Sequence, residues 1–284
     1  MQKDRNNCES ILHQIDPKLK IVKKFSGGMS NQTFLVTDEE NFFTFRVPYE
    51  SGKPFTNFVN EQNILEQITP LNINSKVLYF NVDNGVKLSE YVDGCMLEEP
   101  INYQLVSDTL KKLHQSNLTF NSYNHLQRLD NYEQLVTNID QDYFEIKNNW
   151  LQLFNNFLIN FVKYPTHGDS QISNWLITNQ QLYLLDWEFS SQNDFIYDIC
   201  CFGNNYFDQA LKLLTVYIDN PTKEHYIRLY GWKVYQSLQW YLVASYKANI
   251  KDFQSSGLDF NSIKNNYLDK AKYYWQELQE IIKK

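Results

Sequence analysis

The sequence predicts an α+β protein of two lobes: a small β-rich N-terminal lobe over residues 1–92 and a larger, mostly helical C-terminal lobe over residues 93–284. Three observations predict it. Short strand-like runs bounded by turn residues crowd the first ninety positions. From Gln104 onward the apolar residues recur at helical spacing. Between the two patterns lies a connector with a turn-forming pair, Asp93-Gly94. At 284 residues, 43% of them hydrophobic, the chain can bury the core of two lobes that share a cleft.

The elements follow in order. Lys20 to Ser26 reads as a strand running into a small-residue turn, Gly27-Gly28. Gln32 to Thr37 and Asn41 to Val47 read as the next two strands, the latter stopped by Pro48. Phe55 to Ile68 reads as a helix, with Phe58, Ile64, Leu65 and Ile68 near helical spacing. Val77 to Tyr79 and Gly85 to Tyr91 read as short strands. Leu105, Leu110 and Leu113 share one face of a later helix, and Trp150 to Val162 is another apolar-rich helix. Trp175 to Leu185 reads as a hairpin turning at Asn179-Gln180-Gln181, and from Ile199 to the end the pattern is helical.

Composition excludes several partners. The formal net charge is −7, and no block of Lys and Arg overcomes it, so nucleic acid is not expected as a partner. Residues 1–10 are polar and lack the apolar segment of a signal peptide. No apolar stretch approaches the roughly 20 residues that span a bilayer. The cysteines, Cys8, Cys95, Cys200 and Cys201, form no CxxC pair and fit reduced thiols, which gives the expectation of a cytoplasmic protein. Aromatics are abundant, at 20 Tyr, 19 Phe and 6 Trp, but an AT-rich genome gives the same excess, so abundance alone carries no argument.

The most specific signal is His167-Gly168-Asp169-Ser170-Gln171-Ile172-Ser173-Asn174, of the form H-x-D-x-x-x-x-N. This is the spacing of a phosphoryl-transfer loop in which the Asp receives the acceptor's hydroxyl proton and the Asn binds Mg²⁺. The apolar run that follows ends at Asp186, in Leu184-Leu185-Asp186-Trp187-Glu188. If Thr178 lies opposite Leu182, then Asn174 lies opposite Asp186, about 5 Å away between Cα atoms. An amide oxygen and a carboxylate at one point suit Mg²⁺, which takes hard oxygen ligands and completes its shell with phosphate and water.

These residues resemble the signature of the family that holds aminoglycoside phosphotransferases and choline kinases, the bacterial choline kinases above all. The run His167 to Asn174 carries the resemblance, followed by Leu185-Asp186-Trp187-Glu188-Phe189 and Asn193-Asp194-Phe195-Ile196-Tyr197-Asp198-Ile199. Upstream, Ser26-Gly27-Gly28-Met29-Ser30-Asn31 is similar to the family's nucleotide loop. The resemblance covers roughly residues 20 to 250 and implies a protein-kinase-like fold, ATP and Mg²⁺ as cofactors, and a small alcohol as substrate.

The resemblance and the residue chemistry assign candidate roles. Gly27, Gly28, Ser30 and Asn31 would cradle the phosphates, although two glycines between strands also serve as a plain turn. Arg46 would offer its planar fork to phosphate oxygens with Glu61 as partner, unless it is a surface residue of an edge strand. Glu90, in the connector Leu88 to Val92, would meet adenine through the backbone. Asp169 is the expected proton acceptor, and His167 supports its loop by hydrogen bonding. Asn174 and Asp186 are the expected Mg²⁺ ligands. Asp198 is expected to orient the loop, and His114 to give structural support.

For a quaternary ammonium, Glu188 would supply a carboxylate, and Trp187, Phe189 and Trp240 aromatic faces; core packing explains the aromatics equally well. Val243 stands where a second Trp of the family's choline pocket is expected. Choline is the first candidate substrate. Thiamine, an aminoglycoside, or a non-catalytic nucleotide-binding protein are the alternatives. Residues 220–250 lack the acidity a polycationic substrate calls for. The chain is expected as a monomer or homodimer.

Overall fold

The computed structural model describes residues 2–26, 29–158, 161–179, 181–250 and 257–283. The α+β expectation holds. An opening helix that the sequence reading missed, α1 (Gln2–Ile15), precedes the sheet. Its Cys8 and Leu12 are buried with Phe34, Val36, Phe45, Val47 and Leu88 of the sheet in a core of their own. Few apolar residues are needed for such a single-sided contact, so the helix is not conspicuous in sequence.

Strands β1 (Lys20–Lys24), β2 (Asn31–Thr37), β3 (Phe42–Pro48), β4 (Val77–Phe80) and β5 (Lys87–Glu90) form an antiparallel sheet in the order β1-β2-β3-β5-β4. Phe34 and Phe45 stand directly opposite each other, ring centroids 6.2 Å apart, on the face that covers α1. Side chains alternate across a strand, so Arg46 points to the other face. There it meets α2 (Phe58–Ile68), which is capped by the Asn57 side chain accepting from the Asn60 N–H. Glu61 lies three and four residues before Ile64 and Leu65 and shares their buried face. Arg46 is therefore on an interior strand, 5% exposed, and not on an edge.

The second lobe opens with β6 (Cys95–Met96), α3 (Tyr103–His114), α4 (His125–Glu133) and α5 (Gln141–Leu153). The expected helix at Trp150 to Val162 is in fact the C-terminal end of α5, which continues as a π-helical turn over Phe154–Leu158. The residues between 93 and 94 form no turn; a Cβ on Gly94 would sit 2.8 Å from the Ile177 carbonyl oxygen, so the connector runs close against the hairpin. Then come β7 (Tyr164–Thr166), β8 (Trp175–Ile177), β9 (Leu182–Leu184), β10 (Ser191–Asn193), α6 (Phe195–Phe202), α7 (Phe207–Tyr217), α8 (Lys223–Asn249) and α9 (Phe260–Lys283). Helix α8 is the lobe's axis: from Gly231 to Ser245 every residue is buried, as a helix enclosed on all sides requires.

The β8–β9 hairpin corrects one expectation. Trp175 pairs with Leu184 and Ile177 with Leu182, and Thr178 and Gln181 close a two-residue turn. Asn174 thus stands opposite Leu185, whose N–H it accepts at 2.8 Å, and not opposite Asp186. A turn one residue shorter than expected moves every pair by one. Asp186 leaves the strand with φ of +67°, a left-handed step that redirects the chain.

Candidate active site

The loop from His167 to Asn174 is held from below by Asp198 on α6. Asp198 Oδ2 accepts the His167 N–H at 2.8 Å and Oδ1 the Gly168 N–H at 2.7 Å. Its carbonyl accepts the Ser170 hydroxyl at 2.6 Å. His114 Nε2–H donates to Asp198 Oδ2 at 2.9 Å, and the Tyr217 hydroxyl lies 2.9 Å from Nδ1. Gly168 has φ of +81°, and a Cβ there would be 2.3 Å from the Phe189 carbonyl oxygen, so only glycine fits.

His167 is fully buried and neutral. Its Nδ1 accepts the Asp169 N–H at 3.2 Å and its Nε2–H donates to the Leu185 carbonyl at 2.9 Å. Burial pushes its pKa below the usual value, with the charge of Asp198 opposing. Both ring nitrogens are thus engaged within the loop and the strand end beside it.

Asp169 keeps one carboxylate oxygen held and one open. Its Oδ2 accepts from Asn174 Nδ2 at 3.0 Å and from Gln171 Nε2 at 3.1 Å, while Oδ1 has no partner among the described residues. Gln171 is itself held, its Oε1 accepting from Asn204 Nδ2 at 3.2 Å. Burial raises the Asp169 pKa well above the carboxylate range, and the charge of Asp186 adds to the effect. Gln171 and Asn204 were not singled out by sequence. Gln171 lies inside the motif at an unspecified position, and Asn204 becomes visible only once α6 has packed.

The first lobe supplies the opposite wall. Arg46 donates to Glu61 Oε2 at 2.7 Å and to Asp186 Oδ1 at 2.8 Å, and lies 4.0 Å from Glu188. Lys87, paired with Arg46 across the strands, binds the other Glu61 oxygen at 3.0 Å. Burial would raise the Glu61 pKa, but Arg46 and Lys87 outweigh it and hold it below the usual range. Asn31 Nδ2 reaches Glu188 at 3.3 Å and Asp186 at 3.4 Å, with its Oδ1 buried and unpaired. Glu188 has its pKa raised by burial and then by Asp186, against Arg46.

Four carboxylates, Glu61, Asp169, Asp186 and Glu188, therefore face two cations, Arg46 and Lys87, leaving two negative charges in surplus when all are ionised. That surplus and the oxygen donors fit a divalent cation. Asn174 turns its amide N–H groups to Asp169, which leaves Oδ1 without a partner among the described residues. Among the described residues Asp186 Oδ2 has only the long contact from Asn31. Among the described residues no three His, Cys, Asp or Glu side chains cage an ion unaided, so a cation here would need phosphate and water to fill its shell.

The remaining expected residues are placed as follows. Phe189, next in the chain to the buried Glu188 (6% exposed), meets Trp240 edge-on at 5.8 Å, and Tyr267 of α9 stacks on Trp240 at 6.4 Å. Tyr267, absent from the sequence reading, reaches this wall from a helix with no local motif, and its hydroxyl takes an N–H from Asn204 at 3.4 Å. Trp187 is not part of the wall. It is fully buried, donates to the Leu184 carbonyl at 2.8 Å and packs edge-on to His167 at 4.7 Å, filling the core behind the loop. The Glu90 side chain lies 3.4 Å from Lys76 in the outer rim, beside a cavity of about 600 Å³ that the connector shares with the hairpin. Ser30 is held through its carbonyl, which accepts the Tyr49 N–H at 2.8 Å. Gly27 and Gly28 lie outside the described residues.

A small sheet over a helical lobe, with Arg46 of the sheet bonded to Asp186 beside the buried Asp169, defines a kinase-like phosphotransferase. The profile of the phosphotransferase enzyme family matches residues 21–241, and the chain belongs to that family, as an enzyme that transfers a phosphoryl group to an alcohol. The chain is 26% identical to the LicA homolog of Mycoplasma capricolum over 224 residues, 75% of this chain and 79% of that one. It is 25% identical to LicA of Haemophilus influenzae over 262 residues, 82% and 76% of the two. Its fold is similar to that of choline kinase LicA from Streptococcus pneumoniae, with a TM-score of 0.81 at 21% identity, covering 96% of this chain and 99% of that one. It is similar also to aminoglycoside 2'-phosphotransferase-IIIa, with a TM-score of 0.68 at 13% identity, covering 93% and 97%. Among the described residues no helix is long and apolar enough to cross a membrane.

Proposed function

We propose that the chain transfers the γ-phosphoryl group of ATP to the hydroxyl of a small cationic alcohol, choline before others. The observation that carries this reading is an aromatic wall, Phe189, Trp240 and Tyr267, that starts at the residue after the buried carboxylate Glu188 and is tied to Asp169 through Asn204 and Gln171. A carboxylate beside aromatic faces is the environment a quaternary ammonium prefers. The similarity to LicA and to a choline kinase structure supports the same choice.

In this reading the acceptor's ammonium rests on the aromatic wall, and its hydroxyl points at Asp169 Oδ1. Gln171 and Asn174 hold Oδ2 fixed, so the free oxygen keeps one direction and takes the proton as the phosphoryl group transfers. Ser30 and Asn31 lie over the phosphates, and Arg46 is steered toward them by Glu61. Asn174 and Asp186 would hold Mg²⁺, which when bound neutralises phosphate charge. Glu90 contributes through its backbone to the adenine side. The lobes divide at residues 92 and 93, just after β5 ends the sheet.

The test is ADP release with Mg·ATP and a panel of choline, ethanolamine, thiamine and an aminoglycoside. Choline is expected to give the highest kcat/KM. Glu188→Ala is expected to raise the KM for choline about tenfold, from the 1–2 kcal/mol such a contact contributes, with the KM for ATP nearly unchanged. Turnover of thiamine or the aminoglycoside without choline would replace the substrate and leave the family chemistry intact.

A further inference from the structure

Helix α8 carries more than the acceptor wall. Seven residues after Trp240, two helical turns on and so on the same face, stands Lys247. It is fully buried. Its Nζ donates to the backbone carbonyl of Met29 at 2.5 Å and to the Ser51 hydroxyl at 3.5 Å, and the Phe260 ring lies 5.5 Å away. The contact with Met29 joins residues 218 apart in the chain and links the helix of the second lobe to the segment that enters Ser30 and Asn31.

That segment is one body with the loop at residues 49–52. Tyr49 donates to the Ser30 carbonyl, and a Cβ on Gly52 would lie 2.9 Å from the same oxygen. Next to Lys247, Tyr246 packs edge-on against Phe55 at 5.3 Å. A buried ammonium is costly unless its donors are met, and here the Met29 carbonyl and the Ser51 hydroxyl of the opposite lobe both accept from it. A methionine would fill the same space without that cost, so filling space does not account for the charge.

We propose that Lys247 is a positioning residue for nucleotide binding: by gripping the Met29 carbonyl it holds Ser30 and Asn31 over the β- and γ-phosphates. The proposal rests on the reading of residues 30 and 31 as phosphate-facing, and its test needs no acceptor. It also implies that the helix presenting the acceptor wall and the segment covering the phosphates move together.

The experiment measures calorimetric Kd values of Mg·AMP-PNP and of AMP for the wild type, Lys247→Met and Lys247→Gln. AMP has no β- or γ-phosphate, so it reports general damage to the site. Lys247→Met is expected to weaken Mg·AMP-PNP about tenfold and AMP by less than about twofold, with Lys247→Gln, which keeps a donor, in between. Equal weakening of both nucleotides, or of neither, overturns the proposal. If Lys247→Met does not fold, Lys247→Gln decides by the same selective loss. A wild type that binds Mg·AMP-PNP no better than AMP overturns the phosphate-facing reading, and this proposal with it.

Discussion

Two clusters of buried polar groups meet at Asp169, and they follow opposite rules. Below the loop, Asp198 accepts from two backbone N–H groups and His114, and its carbonyl takes the Ser170 hydroxyl; donors and acceptors match. Across the cleft, Glu61, Asp169, Asp186 and Glu188 outnumber Arg46 and Lys87, and Asn31 Oδ1 and Arg46 Nε are buried without partners. The first cluster is complete in the folded chain. The second keeps unmet polar groups and surplus negative charge, and burial together with the charge of Asp186 raises the Asp169 and Glu188 carboxyls above the usual range. Structure and chemistry have been assigned to different sets of residues that share one loop.

That contrast can be broken by substitution, because the two clusters should move stability in opposite directions. The largest effect is expected from Asp169→Ala: a loss of about 10³-fold in kcat, the middle of the range for removal of a proton-accepting group, with ATP binding retained. Single-turnover kinetics and nucleotide titration check it, and normal turnover would remove Asp169 from the reaction. Next is Asp198→Ala. It strands the His167 and Gly168 N–H groups together with His114, and should cost about 3 kcal/mol of stability, measured by denaturant unfolding, along with most of the activity.

The smallest effect is the most diagnostic. The Asp169 and Glu188 carboxyls have raised pKa values in the folded chain, so the folded state holds their protons more tightly than the unfolded state does. Their ionisation therefore opposes folding. Stability should decline as pH rises from the ordinary carboxylate pKa through the raised values. Asp169→Asn removes one such group and should flatten the decline. At neutral pH it should gain about 1 kcal/mol, roughly 2 °C in Tm without nucleotide, while activity is lost. An unchanged slope of Tm against pH would show that Asp169 is not destabilised by its surroundings.

The site was legible where it is local. His167, Asp169 and Asn174 fall within eight residues, and Asp186 and Glu188 one hairpin later, so spacing alone brought them near one another. Arg46 and Glu61 were legible through the family resemblance, which expects a cation on that strand and an acidic partner on the next helix, and the structure pairs them at 2.7 Å. The hairpin register was missed by one residue, since a two-residue and a three-residue turn are hard to tell apart in a run of Asn and Gln. Trp187 was misplaced because alternation is lost after Asp186, where the left-handed step turns the indole into the core. Tyr267 and Lys247 come from late helices and Asn204 from the bend after α6, none of which carries a local signal for these contacts.

The amino-acid order by itself determined the α+β class, the phosphoryl-transfer loop, the carboxylate after the hairpin, and the strand and helix that carry Arg46 and Glu61. These depend on short spacings and periodicities that hold whatever the rest of the chain does. Only the tertiary structure decided which aromatics form a wall and which fill the core, that four carboxylates converge on two cations, and that Lys247 reaches Met29 across 218 residues. The reason is that burial and electrostatic surplus are properties of groups brought together from distant parts of the chain, and no spacing along it records which groups will meet.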